Sequence, residues 1–212
     1  LLQGAAGTAK GADIELEKQL PGGGGLGGGS SDAAAVLLVL NRFWKLNLKR
    51  KELLELGMRL GADVPVFLYG RNALGEGVGE RLEALELGPA WYLVLAPQIP
   101  VSTKEIFSDA SLTRDTKPLK MSPFLSGLGR NDLESVAVRR YPEIAEHLAW
   151  LRQRSPRGSF LPRMTGSGAC VFAEFACQED AVALCKELPA AMRGFVARGL
   201  ERHPLYDWAH FH

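Results

Sequence analysis

The chain has 212 residues, 25 Lys and Arg against 24 Asp and Glu, a net charge of +1, and 46% hydrophobic residues. So even a balance gives no electrostatic reason for a nucleic-acid partner, and the longest clean apolar run, Ala33 to Leu40, is far too short to span a bilayer. Cys170, Cys177 and Cys185 are odd in number and lack CxxC spacing, which argues against a disulfide framework or a zinc site and for a reducing cytoplasm.

Taken in chain order, Leu1 to Gly11 reads as the end of a helix and a loop. The chain opens without a capping leader before Leu1-Leu2, so a preceding segment is expected. Ala12 to Lys18 alternates apolar and polar residues and predicts a strand with one buried face. A glycine run follows, and Ser31 to Asn47 predicts a helix whose first half is apolar nearly all round. Lys49 to Leu60 predicts a second helix, with Leu53, Leu56 and Leu60 on one stripe and Gly61 as its stop. In its Lys49-Arg50-Lys51 start, followed by Glu52 and Glu55, all charges read as a solvated face; Arg139-Arg140 likewise read as surface. Asp63 to Leu68 predicts a turn or short strand, and Gly75 to Glu80 a tight turn. Trp91 to Ala96 predicts a strand. Pro97 to Arg130 is loop-rich, with a helix start at Ser102 to Glu105. Asp132 to Arg154 is helical with a break near Pro142. Cys170 to Phe175 is a strand, Gln178 to Leu188 a helix, and Gly194 to Arg198 a last strand. A change of texture near Glu83 to Pro89 places a domain boundary, dividing the chain into 1–84 and 85–212.

The most informative segment is Pro21-Gly-Gly-Gly-Gly-Leu-Gly-Gly-Gly-Ser-Ser-Asp32, which runs directly into Ala33-Ala34-Ala35. Glycines let a backbone approach an anion closely, and the first N–H groups of a helix lack internal partners at the positive end of its dipole. Together these make an anion site. Ser30, Ser31 and Asp32 are suitable helix-start residues. The run is no Walker loop, because Ser30 stands where the lysine belongs, and a match to GxGxxG is accidental in so glycine-rich a stretch. A plain flexible linker is the alternative, but a linker would not run from a strand straight into a buried helix.

Two further elements carry chemistry. Asp63, past Gly61 and two residues before Pro65, could accept a proton from a substrate hydroxyl. On spacing alone, the commoner role for such an aspartate is to satisfy turn N–H groups. Thr165-Gly166-Ser167-Gly168 could place N–H and hydroxyl groups beside a phosphate, or be an ordinary turn. Cys170 after it is more often a small buried hydrophobe than a nucleophile. His147, His203, His210 and His212 form no metal-binding cluster with the cysteines, and no metal ligand is assigned. His210 and His212 are expected to lie in a disordered tail.

In order along the chain, Leu20–Ala34, Gly61-Ala-Asp-Val-Pro-Val-Phe67, Glu76-Gly-Val-Gly-Glu80, Trp91–Val94, Ser102–Phe107 and Thr165–Gly168 resemble the GHMP small-molecule kinases. Within them, the pattern is similar to the family acting on 4-diphosphocytidyl-2-C-methyl-D-erythritol in non-mevalonate isoprenoid biosynthesis. The resemblance implies an α+β, two-domain fold: an N-terminal, ribosomal S5 domain 2-like domain and a ferredoxin-like C-terminal domain, with the active site in the cleft between them. It implies transfer of the γ-phosphate of ATP to the 2-hydroxyl of that substrate. Pro21, Gly22, Gly23, Gly24, Gly25, Leu26, Gly27, Gly28, Gly29, Ser30 and Ser31 would wrap the nucleotide phosphates, with Mg²⁺ bridging them. Thr165, Gly166, Ser167 and Gly168 would support the phosphate site. Asp63 would be the catalytic base. Val78 and Thr103 would line the substrate pocket, and Phe107 would stack near the cytosine. A cytoplasmic monomer or homodimer with a small-molecule substrate and no nucleic-acid or membrane partner is implied.

Departures from that pattern set further expectations. Family members begin with a strand-rich segment carrying a catalytic lysine and a Gly-Tyr-His element, and this chain opens after it, so its N-terminal domain is expected to be truncated and its activity impaired. Gly22 replaces a bulkier residue, Gly158 to Pro162 reads as an insertion, and Trp208 to His212 is an unfamiliar tail. The rival readings are a non-catalytic nucleotide-binding fragment, another GHMP kinase acting on homoserine or mevalonate, and a structural module with a glycine hinge.

Overall fold

The computed structural model describes residues 1–117, 129–155 and 161–209. Contacts divide the chain into two compact units. The first comprises Leu1–Gln19, Gly27–Leu87 and Leu200–His212, and the second Leu20–Leu26 and Gly88–Gly199. A single cut at 84/85 therefore differs from the contact pattern: the short segment 20–26 folds with the later unit and the C-terminal segment with the earlier one.

The first unit is mainly helical. Its elements are α1 (Leu2–Ala6), α2 (Gly28–Phe43), α3 (Arg50–Met58), α4 (Val64–Tyr69) and a hairpin of β1 (Ala73–Glu76) and β2 (Arg81–Ala84). Leu37, Leu38, Leu53, Leu56, Val64 and Leu68 meet in its core. The hairpin registers Glu76 against Arg81, which turns the chain over Gly77–Glu80 as predicted. The strand expected at 12–18 does not form. Alternation marks a face but gives no ladder partner, and none of the described residues pairs with it. The segment expected as a turn or strand at 63–68 is instead α4, because Pro65 fits a first helical turn and left-handed Gly70 ends it. Leu60 lies beyond α3 and is 49% exposed, so the buried stripe is Leu53 and Leu56 alone.

The largest correction concerns Arg50. It is fully buried rather than solvated. Its guanidinium donates to the carbonyls of Leu68, Tyr69, Tyr206 and Ala209. Arg139 and Arg140 do lie at the surface, paired with Asp109.

The second unit holds β3 (Trp91–Leu95), α5 (Thr103–Ser108), α6 (Glu134–Arg140), α7 (Pro142–Arg154), β4 (Arg163–Met164), β5 (Val171–Phe175), α8 (Gln178–Lys186) and β6 (Gly194–Arg198). Its antiparallel sheet has the order β4-β5-β3-β6. Numbered within the unit, the strands run 2-3-1-4, with helices after the first and third; this is the ferredoxin-like arrangement. Val171, Ala173 and Phe175 alternate onto the core face with Leu93 and Leu95, where Ile144, Leu148 and Leu151 of α7 cover them. Ser102 starts α5 by accepting from the Glu105 N–H, as its residue type predicts. Residues 158–160 of the expected insertion, and His210 and His212, lie outside the described residues. None of the described helices is long and apolar enough to cross a membrane.

Candidate nucleotide and phosphoryl-transfer site

The glycine run is held differently on its two sides. In the second unit, the Gly24 carbonyl accepts from the Cys170 N–H at 3.1 Å, and the Gly25 carbonyl accepts from the Thr165 hydroxyl at 2.7 Å. Leu26 packs with Val94, Ala96, Phe172 and Cys170 on the sheet face away from the main core. Gly25 is obligatory for this docking. Its φ is +73°, and a Cβ would stand 2.3 Å from the Thr165 carbonyl oxygen. Cys170 lies beneath the loop, and burial pushes its thiol up to about 11. It is a packing residue, as its residue type predicted.

On the other side, in the first unit, α2 begins at Gly28, three residues earlier than Ser31. Its N-cap is left-handed Gly27 (φ +68°), and no side chain caps the helix. The Gly27 backbone lies against the Phe67 ring of α4, where a Cβ would come within 3.0 Å. That contact brings the start of α2 onto α4. Gly29 behaves otherwise: its φ is ordinary and a Cβ there would meet nothing within 4 Å. Gly22 is equally open. Packing explains Gly24, Gly25 and Gly27 but not Gly22 or Gly29, and glycine in a helix weakens it. An exposed, uncapped helix start with open space over Gly29 suits an anion that approaches the backbone.

Asp63 is the N-cap residue of α4, exposed, and its carboxylate does not cap the helix. The commoner role of satisfying turn N–H groups is therefore not the one it plays. Among the described residues it forms no salt bridge. Gly79 packs so tightly on the Ala62 carbonyl that a Cβ would lie 2.5 Å from it. The turn bearing Val78 thus rests beside Asp63, and Val78 is 67% exposed.

In the second unit, the Thr103 and Ser167 hydroxyls share a hydrogen bond of 2.8 Å. Thr165 and Ser167 therefore spend their hydroxyls on the protein: one docks the glycine loop, the other anchors α5. Phe107 follows Thr103 one turn later on α5 and is 55% exposed, an aromatic face open to a ligand. Asn131 was not anticipated. Its side-chain amide donates to the Met164 and Gly166 carbonyls at 3.1 and 2.7 Å, and so fastens the turn from outside. Its position before Asp132 at a helix start was the only available sign.

Two family models match: the GHMP kinases N terminal domain over residues 1–71 and the GHMP kinases C terminal domain over residues 119–194. A 4-diphosphocytidyl-2-C-methyl-D-erythritol kinase from Nitrosospira multiformis is 56% identical over 99% of this chain and 70% of its own length. One from Thiobacillus denitrificans is 55% identical over 98% of this chain and 73% of its own length. The chain belongs to the 4-diphosphocytidyl-2-C-methyl-D-erythritol kinase family of GHMP kinases. A crystal structure of a 4-(cytidine 5'-diphospho)-2C-methyl-D-erythritol kinase superposes with a TM-score of 0.78 at 35% identity, covering 92% of this chain and 74% of that one. A homoserine kinase from Cytophaga hutchinsonii shares the fold alone, with a TM-score of 0.57 at 17% identity, over 88% of this chain and 69% of that one.

A kinase of this family needs a nucleotide. The uncapped glycine helix start fits the phosphates. Among the described residues, no group of three or more His, Cys, Asp or Glu could hold a metal ion.

Proposed function

We propose that this chain performs the family's reaction: ATP-dependent phosphorylation of the 2-hydroxyl of 4-diphosphocytidyl-2-C-methyl-D-erythritol, a step in isoprenoid precursor synthesis. The observation that carries the reading is the pairing, in one unit, of an uncapped glycine helix start with an aspartate free of any capping role. ATP supplies the γ-phosphoryl group, and Mg²⁺ neutralises charge on its phosphates.

The chain's own residues bind and orient. Backbone N–H groups of Gly28, Gly29 and Ser30 would hold phosphate oxygens, while the Ser31 N–H closes the first turn of α2 on the Gly27 carbonyl, and Pro21 to Ser31 would wrap the nucleotide. Thr165 to Gly168 keep that loop in shape. Asp63 accepts the proton of the attacking hydroxyl as the new P–O bond forms and the bond from the γ-phosphorus to the bridging oxygen breaks, with ADP leaving. The reaction passes directly from nucleotide to alcohol, so positioning and charge stabilisation supply most of the acceleration. Val78 and Thr103 line the alcohol substrate and Phe107 stacks on its cytosine. We assign the chain up to residue 84 to the nucleotide-binding domain and 85–199 to the C-terminal domain, with segment 20–26 packed in the later unit and the C-terminal segment in the earlier one, and place the reaction in the cytoplasm, acting on small molecules.

The test is phosphoryl transfer from labelled ATP·Mg²⁺ with the diphosphocytidyl alcohol, homoserine and mevalonate in competition. Label on the diphosphocytidyl alcohol is expected, and it should fall by about 10² or more in Asp63→Asn, the usual range for losing a general base. Label on homoserine or mevalonate would overturn the substrate. Nucleotide binding with no transfer to any alcohol would make the chain a binding module.

A further inference from the structure

The C-terminal segment plays no part in the chemistry above, yet it is bound tightly to the unit that carries Asp63. Arg71 and Arg202 form an antiparallel bridge, and the His203 N–H donates to the Gly70 carbonyl at 2.9 Å. The Tyr206 ring fills the space where a Gly70 Cβ would lie, 3.0 Å away. Trp208 lies under the Arg42 guanidinium of α2 at 4.7 Å. Arg50 stands at the centre of this arrangement. It is fully buried and stacked on Tyr206 at 4.6 Å. It donates to the two last carbonyls of α4, Leu68 and Tyr69, and to two carbonyls of the tail, Tyr206 and Ala209.

We infer that Arg50 is a positioning residue for Asp63, and that segment 202–209 is the other half of the device. The last carbonyls of a helix have no internal partners, and a cation there complements the dipole. Burying a guanidinium costs more than burying an apolar side chain of the same size. An apolar contact could hold the tail, but only the rigid fork of an arginine fixes several carbonyls in one geometry. What it fixes is the far end of a helix of six residues, only about 9 Å long at 1.5 Å per residue. So short a helix moves as one piece, and its near end is Asp63. The tail thus sets α4, and α4 sets the carboxylate. This rests on the reading of Asp63 as proton acceptor.

Hydrogen exchange on the 212-residue chain tests the coupling without any substrate. In Arg50→Ala, the amides of 64–70 and 202–209 should exchange together, about tenfold or more faster, as a locally opened unit does. Amides of β3, β5 and β6 should keep their protection. Arg50→Lys, which retains the charge but not the fork, should fall between. In phosphoryl transfer, Arg50→Ala should lower kcat about tenfold with KM for ATP within about twofold, because an interaction made in the transition state is lost rather than one made on binding. Faster exchange confined to 202–209, with α4 protected and kcat unchanged, would overturn the proposal and leave Arg50 a fastener of the tail. If Arg50→Ala does not fold, Tyr206→Ala removes the stacked ring and reads the same coupling. Coupled exchange alongside full transfer by Asp63→Asn would keep the strap and refute the base.

Discussion

Replacing Gly29 with alanine should stabilise the protein and weaken its hold on ATP. The two effects are opposite in sign, and both follow from the same open space. Gly29 is the second residue of α2, has an ordinary backbone conformation, and a Cβ there meets no atom within 4 Å. Glycine in a helix is roughly 0.5–1 kcal/mol worse than alanine. With nothing to clash, the variant should gain up to that amount, or roughly 1–4 °C in Tm for a chain of this size. The new methyl group would occupy the approach to the helix-start N–H groups, and a tenfold loss in ATP affinity is about 1.4 kcal/mol. Thermal melts with and without ATP·Mg²⁺ read both. At a ligand concentration near 100 Kd the wild-type chain should gain about 2.7 kcal/mol. The variant should melt higher than wild type alone but gain about half as much from ATP. An unchanged or lower Tm without nucleotide would refute the open-space argument. An undiminished gain from ATP would refute the helix start as the phosphate site.

Gly25→Ala should behave the opposite way. A left-handed alanine costs roughly 1–2 kcal/mol, its Cβ would meet the Thr165 carbonyl at 2.3 Å, and the two loop hydrogen bonds it strains are worth about 0.5–1.5 kcal/mol each. A denaturant melt should show a loss of about 2–5 kcal/mol, and a loss under about 1 would contradict the docked loop. Thr165→Val keeps the shape but loses the donor to Gly25, so a loss of about 1 kcal/mol is expected with weaker ATP binding. Acidification should loosen the tail. Burial, then the Arg50 charge, hold the His203 pKa below its usual 6.5, and its Nδ1 accepts from the Leu205 N–H at 3.1 Å. Between the folded value and 6.5 the unfolded chain binds more protons, so stability is full above 6.5 and falls as pH drops through that window. His203→Gln should flatten the slope in melts between pH 7 and 5.

The glycine helix start and the hairpin turn were legible from their own residues, because glycine runs at those spacings suit few other local conformations, whereas Asp63 and the Thr165 turn each had a commoner reading and stood out only through the family resemblance. The start of α2 was misplaced by three residues. Ser30, Ser31 and Asp32 are better N-caps than glycine, but Phe67, which lies 40 positions after Gly27, packs on Gly27 and decides the boundary. The stretch Asp63 to Leu68 holds β-branched and aromatic residues and reads as a turn or short strand. Pro65 at its start and Gly70 at its end, with Val64 and Leu68 buried in a helical core, make it a helix. Arg50 was opaque for a different reason. Its neighbours Lys49 and Glu52 do form a surface cap, while its own partners arrive from as far as Ala209. No local pattern announces carbonyls delivered by the far end of the chain. The same holds for 12–18, whose alternation describes a face but not a partner.

The central claim is that this glycine helix start holds the phosphates of ATP. Titration calorimetry of ATP·Mg²⁺ into the 212-residue chain tests it most directly, with Gly27→Val and Asp63→Asn alongside. Saturable heat that is lost in Gly27→Val and kept in Asp63→Asn is the expected result. A folded wild-type chain giving no heat, or a Gly27→Val variant binding as well as wild type, would contradict it.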